Sequence, residues 1–113
     1  MTQEAEPQFL YLTTTGWKSG NAHEIEIWYV AYKGRYYLVS EHEYGSHWVQ
    51  NVQHNSTVSF RVEGHTYQGS GRVVDAQAEP DLAREVSALM DAKYEWSTGL
   101  IVELAPSTPS LAP

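Results

Sequence analysis

The chain has 113 residues with a formal charge of -7, a length that suits one domain burying about two-thirds of its unfolded surface. Its seven lysines and arginines are scattered, so nucleic-acid and polyanion binding are not expected, because phosphate binding needs clustered positive charge. The absence of cysteine excludes disulfides and thiolate chemistry. No apolar run is long enough for a signal peptide or a membrane span, so we expect a cytoplasmic protein.

The N-terminal half predicts three strands. Gln8 to Thr15 is rich in aromatic and β-branched residues and predicts the first. His23 to Tyr32 alternates in character, with one strongly apolar face, and predicts the second. Lys33-Gly34 predicts a tight turn into a third strand, Arg35 to Glu41.

The C-terminal half predicts two helices and three more strands. Gly69 and Gly71 suggest a bulge or a sharp bend in one of these strands, a feature that lets a small sheet curl into a barrel. The predicted elements are a short helix over Ser46 to Asn55, strands over Thr57 to Glu63 and His65 to Asp75, a longer helix from Ala78 to about Tyr94, and a last strand over Leu100 to Leu104.

This order of elements bounds the fold and the domain. Six strands without alternating helices argue against a parallel sheet and favour a small antiparallel barrel of the mainly β, α+β class. We place that domain at residues 8 to 105. The polar Met1 to Pro7 segment and the tail from Pro106 to Pro113 are expected to be flexible.

The loop Gly16-Trp17-Lys18-Ser19-Gly20 carries the first functional signal. A phosphate-binding loop of the nucleotide hydrolases is excluded, since Leu12 and Trp17 stand where its glycines belong and a strand follows instead of a helix. The same residues can still form an anion-binding concavity from exposed N–H groups, the serine hydroxyl and the lysine charge. The alternative is a plain β-turn with a solvated lysine.

Three stretches resemble the deazaflavin-dependent nitroreductase family. The run LTTTGWKSGNAHEIEIWY (Leu12 to Tyr29) is similar to the family signature T-T-x-G-R-K-S-G-x-x-R-x-x-P-L. YYLVSEHEYGSHWVQN (Tyr36 to Asn51) resembles the segment ending in H-P-x-W-Y-x-N, and IVELAP (Ile101 to Pro106) resembles the family's C-terminal end. The family is a branch of the flavin/deazaflavin oxidoreductases. Its fold, which this resemblance implies, is the six-stranded antiparallel split β-barrel of Greek-key type that FMN-binding, pyridoxamine phosphate oxidase-like proteins share.

The resemblance also implies a site for coenzyme F-420, a deazaflavin, or for FMN. Lys18 and Ser19 would meet the cofactor phosphate, within a loop that also holds Trp17 and Gly20, and His23 stands where the family has an arginine. The remaining implied residues fall into three groups: Ile27, Trp28, Val39, Ser40, Glu41 and His42 beside the ring system, His47, Trp48 and Asn51 closing the pocket, and Tyr94 near the family's substrate-side tyrosines. Tyr94 and His47 are the candidate catalytic proton donors, and Trp96 is a further candidate for ligand contact.

Three departures from the signature bear on that site. Trp17 and His23 replace arginines and Glu26 replaces the proline, so the loop has lost about two permanent positive charges. A charge-assisted hydrogen bond to phosphate is worth roughly 1.5 to 3 kcal/mol, so we expect weaker phosphate binding than the signature would give.

Two other chemistries are less well supported by the sequence. Glu41, His42, Glu43 and His47 match no compact metal motif, and adjacent residues of a strand point to opposite faces, so no metal is predicted. No nucleophile-elbow pattern supports a hydrolase. Hydride chemistry asks less of the chain because it resides in the cofactor.

The sequence therefore predicts a cytoplasmic oxidoreductase that transfers a hydride from a reduced deazaflavin or FMN to a small electrophile such as a quinone, a nitro compound or an activated alkene. The alternative is a non-catalytic barrel that binds or carries a flavin, deazaflavin or tetrapyrrole. Four tryptophans and eight tyrosines in so short a chain also predict a homodimer, because one small core is unlikely to hold them all.

Overall fold

The computed structural model describes residues 9–107, and the predicted flexible segment Met1 to Pro7 and the end of the predicted tail, 108–113, lie outside the described residues. Within this range the chain forms seven strands, two α-helices and one 3-10 turn, Glu43–Gly45. The elements are β1 (Phe9–Thr15), β2 (Ala22–Trp28), β3 (Val30–Tyr32), β4 (Arg35–Ser40), α1 (His47–His54), β5 (Thr57–Val62), β6 (His65–Val73), α2 (Pro80–Tyr94) and β7 (Leu100–Pro106).

The strands form one antiparallel sheet in the order β2-β1-β5-β6-β7-β4-β3. β2 and β3 lie at opposite ends of this order although a single residue, Tyr29, separates them in sequence. The two ends of the sheet must therefore meet, and the sheet curls into a half-barrel. The predicted fold class is confirmed, with seven strands in place of six because the predicted strand from His23 to Tyr32 is two strands.

The break at Tyr29 is held by the end of α2. The Tyr94 hydroxyl donates to the Tyr29 carbonyl oxygen at 2.6 Å and accepts from the Tyr29 backbone N–H at 3.1 Å. Lys93 Nζ donates to the same carbonyl oxygen at 3.2 Å. Tyr29 is buried, so its backbone groups need partners within the protein, and these side chains supply them where no neighbouring strand does.

Glycines explain two features of the sheet. Lys33-Gly34 and Glu63-Gly64 have left-handed φ values of 52° and 81°, and of 53° and 82°, as a two-residue hairpin turn of the primed type requires. β6 pairs with β5 over residues 65–70 and with β7 over residues 69–73, so Gly69 and Gly71 lie where the strand passes between the two halves of the sheet. The registers run without an offset there, so the feature is a bend and close approach, not a bulge. A Cβ on Gly69 would collide with the Ala105 carbonyl oxygen.

Two hydrophobic clusters lie on the two faces of the sheet. The first fills the inside of the curl and includes Leu10, Leu38 and Phe60, with α1 contributing Val49 and Val52. The second lies beneath α2, whose Val86 and Met90 pack against Val39, Val74 and Ile101. α1 therefore closes one opening of the barrel, and α2 covers the outer face near the Tyr29 break.

A charged network crosses the outer face beside α2. Glu103 on β7 is buried and accepts hydrogen bonds from Tyr37 Oη at 2.7 Å and Arg72 Nε at 2.9 Å. Arg72 also binds Glu79, the residue before α2, at 2.6 Å. Burial alone would raise the pKa of Glu103, but the hydrogen bonds from Arg72 and Tyr37 outweigh it and hold that pKa below its ordinary value. Glu103 is thus an ionised group that ties three strands to α2.

The hydrogen bonds between the Tyr94 hydroxyl and the Tyr29 backbone, which we call the Tyr94 clamp, yield a first prediction. Tyr94→Phe keeps the ring and removes the hydroxyl, leaving the buried Tyr29 N–H without its partner, so the free energy of unfolding in urea should fall by about 2 kcal/mol. The matched control is Tyr44→Phe, since Tyr44 is 51% exposed and its change should stay within about 0.5 kcal/mol. Equal effects of the two variants would show that the clamp does not stabilise the fold.

The depressed pKa of Glu103 yields a second prediction. A carboxylate whose pKa is lower in the folded than in the unfolded state stabilises the fold above its unfolded pKa, and this stabilisation is lost as pH falls through the folded pKa. Glu103→Gln should lower the free energy of unfolding by about 3 kcal/mol at pH 7, and its deficit should shrink as the pH is lowered from 5 to 3. Urea titrations at both ends of that range measure this, with the exposed Glu85→Gln as control. A deficit that does not change with pH would contradict the assignment.

Candidate functional site

The β1–β2 loop is a closed turn. Gly16 N–H donates to the Asn21 carbonyl oxygen at 2.8 Å, and Gly20 N–H donates to the Gly16 carbonyl oxygen at 2.7 Å. Ser19 Oγ accepts from the Asn21 backbone N–H at 3.1 Å. Gly20 has a φ of 77°, which a residue with a side chain rarely adopts. These bonds leave the loop compact.

Asn51 of α1 fastens this loop to the barrel. Its Oδ1 accepts from the Trp17 backbone N–H at 3.1 Å, and its Nδ2 donates to Thr14 Oγ1 at 3.1 Å. Both Asn51 and Thr14 are buried. Asn51 was predicted to close a cofactor pocket, and in the structure its amide holds the loop against α1.

Two polar side chains of the predicted phosphate site converge above Gly16. A Cβ on that residue would lie 2.6 Å from Ser19 Oγ and 2.8 Å from His23 Nε2. The missing side chain of Gly16 therefore makes the space in which a hydroxyl and an imidazole come together. This arrangement accounts for a glycine at a position whose φ does not require one.

Trp17 and Lys18 occupy the outer side of the loop. The Trp17 ring stacks on His54 of α1 with centroids 4.1 Å apart and planes within 10°, and Lys18 Nζ lies 4.9 Å from the centre of the same ring. Trp17 is 43% exposed. The tryptophan that replaces the signature arginine thus packs on α1 and supports the lysine.

A polar chamber of about 830 Å³ opens beside this loop. Lys18 contributes the permanent positive charge, and three histidines and Glu24 contribute titratable groups. Glu24 pairs with Arg61 at 3.7 Å. The chamber is lined by Thr14, Gly16, Trp17, Lys18, Ser19, His23, Glu24, Ile25, His42, Gly45, Ser46, His47, Trp48, Gln50 and Asn51.

A second chamber, of about 560 Å³, is apolar and aromatic. Trp28 forms one wall, stacked on Tyr94 with centroids 4.4 Å apart and planes within 4°, and in edge contact with Trp96 at 6.0 Å. The chamber is lined by Phe9, Glu26, Ile27, Trp28, Val39, Ser40, Glu41, His42, Ser46, Trp48 and Trp96. Both volumes lie within the usual range for small-molecule sites.

The two chambers share the lining residues His42, Ser46 and Trp48, so they adjoin at these side chains, and we call the pair of chambers the groove. Their common boundary is fixed by the buried Ser40, whose Oγ donates to the Glu43 carbonyl oxygen at 3.0 Å and lies 2.7 Å from Ser46 Oγ. Ser46 precedes α1, and its hydroxyl contacts Ser40 and makes no cap hydrogen bond to the helix. The groove thus runs from the Lys18 loop along β2 to the end of α2.

The structure brings most of the predicted site residues together. Two of them line neither chamber. Gly20 supports the turn of the loop, and Tyr94 stands behind Trp28 with its hydroxyl bonded to the Tyr29 backbone. The predicted residues that line the groove are Trp17, Lys18, Ser19, His23, Ile27, Trp28, Val39, Ser40, Glu41, His42, His47, Trp48 and Asn51.

Phe9 and Ser46 are among the lining residues that the sequence did not indicate. Phe9 precedes the signature, and it reaches the groove through its pairing with Trp28. Ser46 was predicted only as the first residue of the short helix. A cross-strand register, once assumed, could have identified Phe9, but the Ser40–Ser46 contact has no local sequence signal. Within residues 9–107, no three His, Asp or Glu side chains are grouped closely enough to hold a metal ion.

The comparison with protein families identifies the class of protein. A sequence-family model described as F420H(2)-dependent quinone reductase matches residues 2–102. The chain belongs to this family, a group of deazaflavin-dependent oxidoreductases, which confirms the resemblance found in the sequence. Family membership also supports the predicted cofactor, coenzyme F-420 or a flavin. Among curated proteins no sequence matches the chain.

Solved structures share the fold at low identity. An F420-H2 dependent reductase, FDR-A, is 23% identical, with 90% of this chain and 97% of that chain covered and a TM-score of 0.61. HutZ, a heme storage protein from Vibrio cholerae, is 17% identical, with 89% and 82% covered and a TM-score of 0.70. An FAD-binding protein from Mesorhizobium loti is 12% identical, with 90% and 83% covered and a TM-score of 0.69. Across the described part of the chain, neither helix is long and apolar enough to cross a membrane.

Proposed function

We propose that the protein transfers a hydride from reduced coenzyme F-420 or FMN to a small electrophilic acceptor such as a quinone, a nitro compound or an activated alkene, and that it acts in the cytoplasm. The observation that carries the proposal is the pair of adjoining chambers, one polar and lined by Lys18 and the other aromatic. A molecule with a flat ring system and an anionic tail matches this division of polarity. Family membership supplies the class of reaction.

Each chamber has a separate task in this proposal. Lys18, Ser19 and His23 bind the anionic tail, helped by the backbone turn that Asn51 holds in place. Trp28 and Trp48 form apolar walls that orient the ring and keep water from the reacting atoms. When bound, the reduced cofactor supplies the hydride.

The acceptor also takes up a proton. An imidazole nitrogen of His47, which is exposed in the polar chamber, is our candidate donor, and solvent is the alternative. Tyr94 receives a different role here. Its hydroxyl serves the Tyr29 backbone and its ring backs Trp28, so we assign it to positioning and not to proton transfer.

A second candidate function has one specific observation in its favour. Among the described residues that line the polar chamber, Lys18 is the one permanent cation, since Trp17 and His23 stand at the two arginine positions of the signature. A chamber with less positive charge could hold a ligand without supporting turnover. A barrel that binds or carries a flavin, deazaflavin or tetrapyrrole is the alternative.

Cofactor titrations test the first proposal. Lys18→Ala should raise the dissociation constant for reduced F-420 or FMN about tenfold, which corresponds to about 1.4 kcal/mol, because it removes the permanent charge beside the tail. Lys33→Ala is the matched control, since Lys33 lies in a hairpin turn outside the groove. Absorbance and fluorescence titrations give both constants.

Three results of this experiment are informative. Steady oxidation of the reduced cofactor by menadione supports the oxidoreductase, and binding without oxidation supports the carrier. Equal effects of the two lysine variants would remove Lys18 from the site.

We further propose that the protein is a homodimer whose interface adjoins the groove. Phe9 lies at the apolar chamber and is 41% exposed, and Trp17 and Tyr44 are also exposed. Exposed aromatic side chains are enriched at interfaces. Light scattering after size exclusion should give twice the 12.8 kDa of one chain, and Phe9→Asp should shift the mass to the monomer while the exposed Glu85→Lys does not. A monomeric wild type would refute the dimer.

A further inference from the structure

The apolar chamber carries negative charge at its rim. Glu26 on β2 and Glu41 after β4 both line it, and both are exposed. No described lysine or arginine lines this chamber, where His42 is the remaining titratable group. Neither glutamate forms an ion pair with any of the residues 9–107. Glutamate side chains are ionised at neutral pH.

The surroundings strengthen the effect of this charge. Phe9, Trp28, Trp48 and Trp96 make walls of low polarity, and charges beside such walls act over longer distances than in bulk water. The positive charge of the groove lies at its other end, at Lys18, where the charge of Glu24 is paired with Arg61 at 3.7 Å. The groove is therefore polarised along its length, with the negative end at the chamber that we assign to the ring and the acceptor.

We propose that Glu26 and Glu41 are specificity-determining residues, and that this chamber accepts neutral or cationic planar acceptors and rejects anionic ones. An anion entering the chamber loses hydration and meets two carboxylates, whereas a neutral quinone meets only the aromatic walls. The claim that the glutamates select the acceptor during turnover rests on the proposed function. The charge preference of the chamber itself does not depend on the cofactor and can be measured in its absence.

The test uses a pair of naphthoquinones that differ in charge. Trp28, Trp48 and Trp96 line the chamber, so quenching of tryptophan fluorescence reports binding of menadione, which is neutral, and of 1,4-naphthoquinone-2-sulfonate, which is anionic. The quantity measured, in the cofactor-free protein, is the dissociation constant of the sulfonate divided by that of menadione. Comparing this ratio between variants cancels the difference in hydrophobicity between the two quinones.

Glu26→Gln/Glu41→Gln should lower that ratio about tenfold, by tightening the binding of the sulfonate while leaving menadione nearly unchanged. Salt at about 1 M, where the Debye length is about 3 Å, should also lower the wild-type ratio because it screens the charges of the two glutamates. Glu85→Gln, an exposed residue of α2 that lines neither chamber, is the control that removes one charge elsewhere. Thermal melts confirm that the variants fold.

An unchanged ratio in the double variant, or an equal change in the control, overturns the proposal. The ratio of the rates at which the two quinones oxidise the reduced cofactor separates this proposal from the proposed function. Turnover with no effect of the glutamates would refute the charge selection and leave the oxidoreductase standing. A ratio that shifts in the cofactor-free protein, with no cofactor binding, would support the charge selection and refute the oxidoreductase.

Discussion

The groove depends on how the chain turns at Tyr29. Two strands that belong to opposite ends of the sheet follow one another with a single residue between them, and that residue has no strand partner for its backbone. The Tyr94 hydroxyl provides both a donor and an acceptor for it. Because backbone groups buried without partners cost free energy, the position of α2 and the closure of the sheet are linked. The ring of Tyr94 then continues into the stack with Trp28, so the same residue that closes the barrel backs a wall of the apolar chamber.

The other end of the groove has an anchor of a similar kind. Asn51 uses both ends of its amide, one toward the β1–β2 loop and one toward Thr14 at the end of β1. The loop is therefore held by a buried side chain of α1, while its own polar groups, Ser19 and His23, converge above Gly16. In both anchors a side chain of a helix satisfies the backbone of a segment that has no neighbour in the sheet. Lys18, Ser19 and the three histidines of the chamber are therefore held where they can meet a ligand.

Local patterns in the sequence predict the elements that form the groove but not the contacts that hold it. Alternation locates the strands, and Lys33-Gly34 locates a hairpin, because these features depend on neighbours in the chain. The division of the strand at Tyr29 is not visible in this way, since the partner that replaces the ladder is Tyr94, 65 residues away. Asn51 is similar. Its position in the signature marks it as part of the site, but its bonds to the β1–β2 loop and to β1 appear only once α1 has packed on the barrel. Gly69 and Gly71 lie between these cases: the sequence indicates an irregularity, and the pairing of β6 decides that it is a bend.

The departures from the family signature affect the two ends of the groove differently. Trp17 and His23 in place of two arginines reduce the positive charge near Lys18, and Glu26 in place of a proline adds negative charge at the aromatic end. The first change weakens the attraction of the groove for any anion. However, the orientation of a molecule with an anionic tail depends on the difference in potential between the ends and not on their sum. Glu26 increases this difference, while Trp17 and His23 decrease it. The chain can therefore keep the direction in which a tailed ring enters the groove while its total affinity for that ring falls.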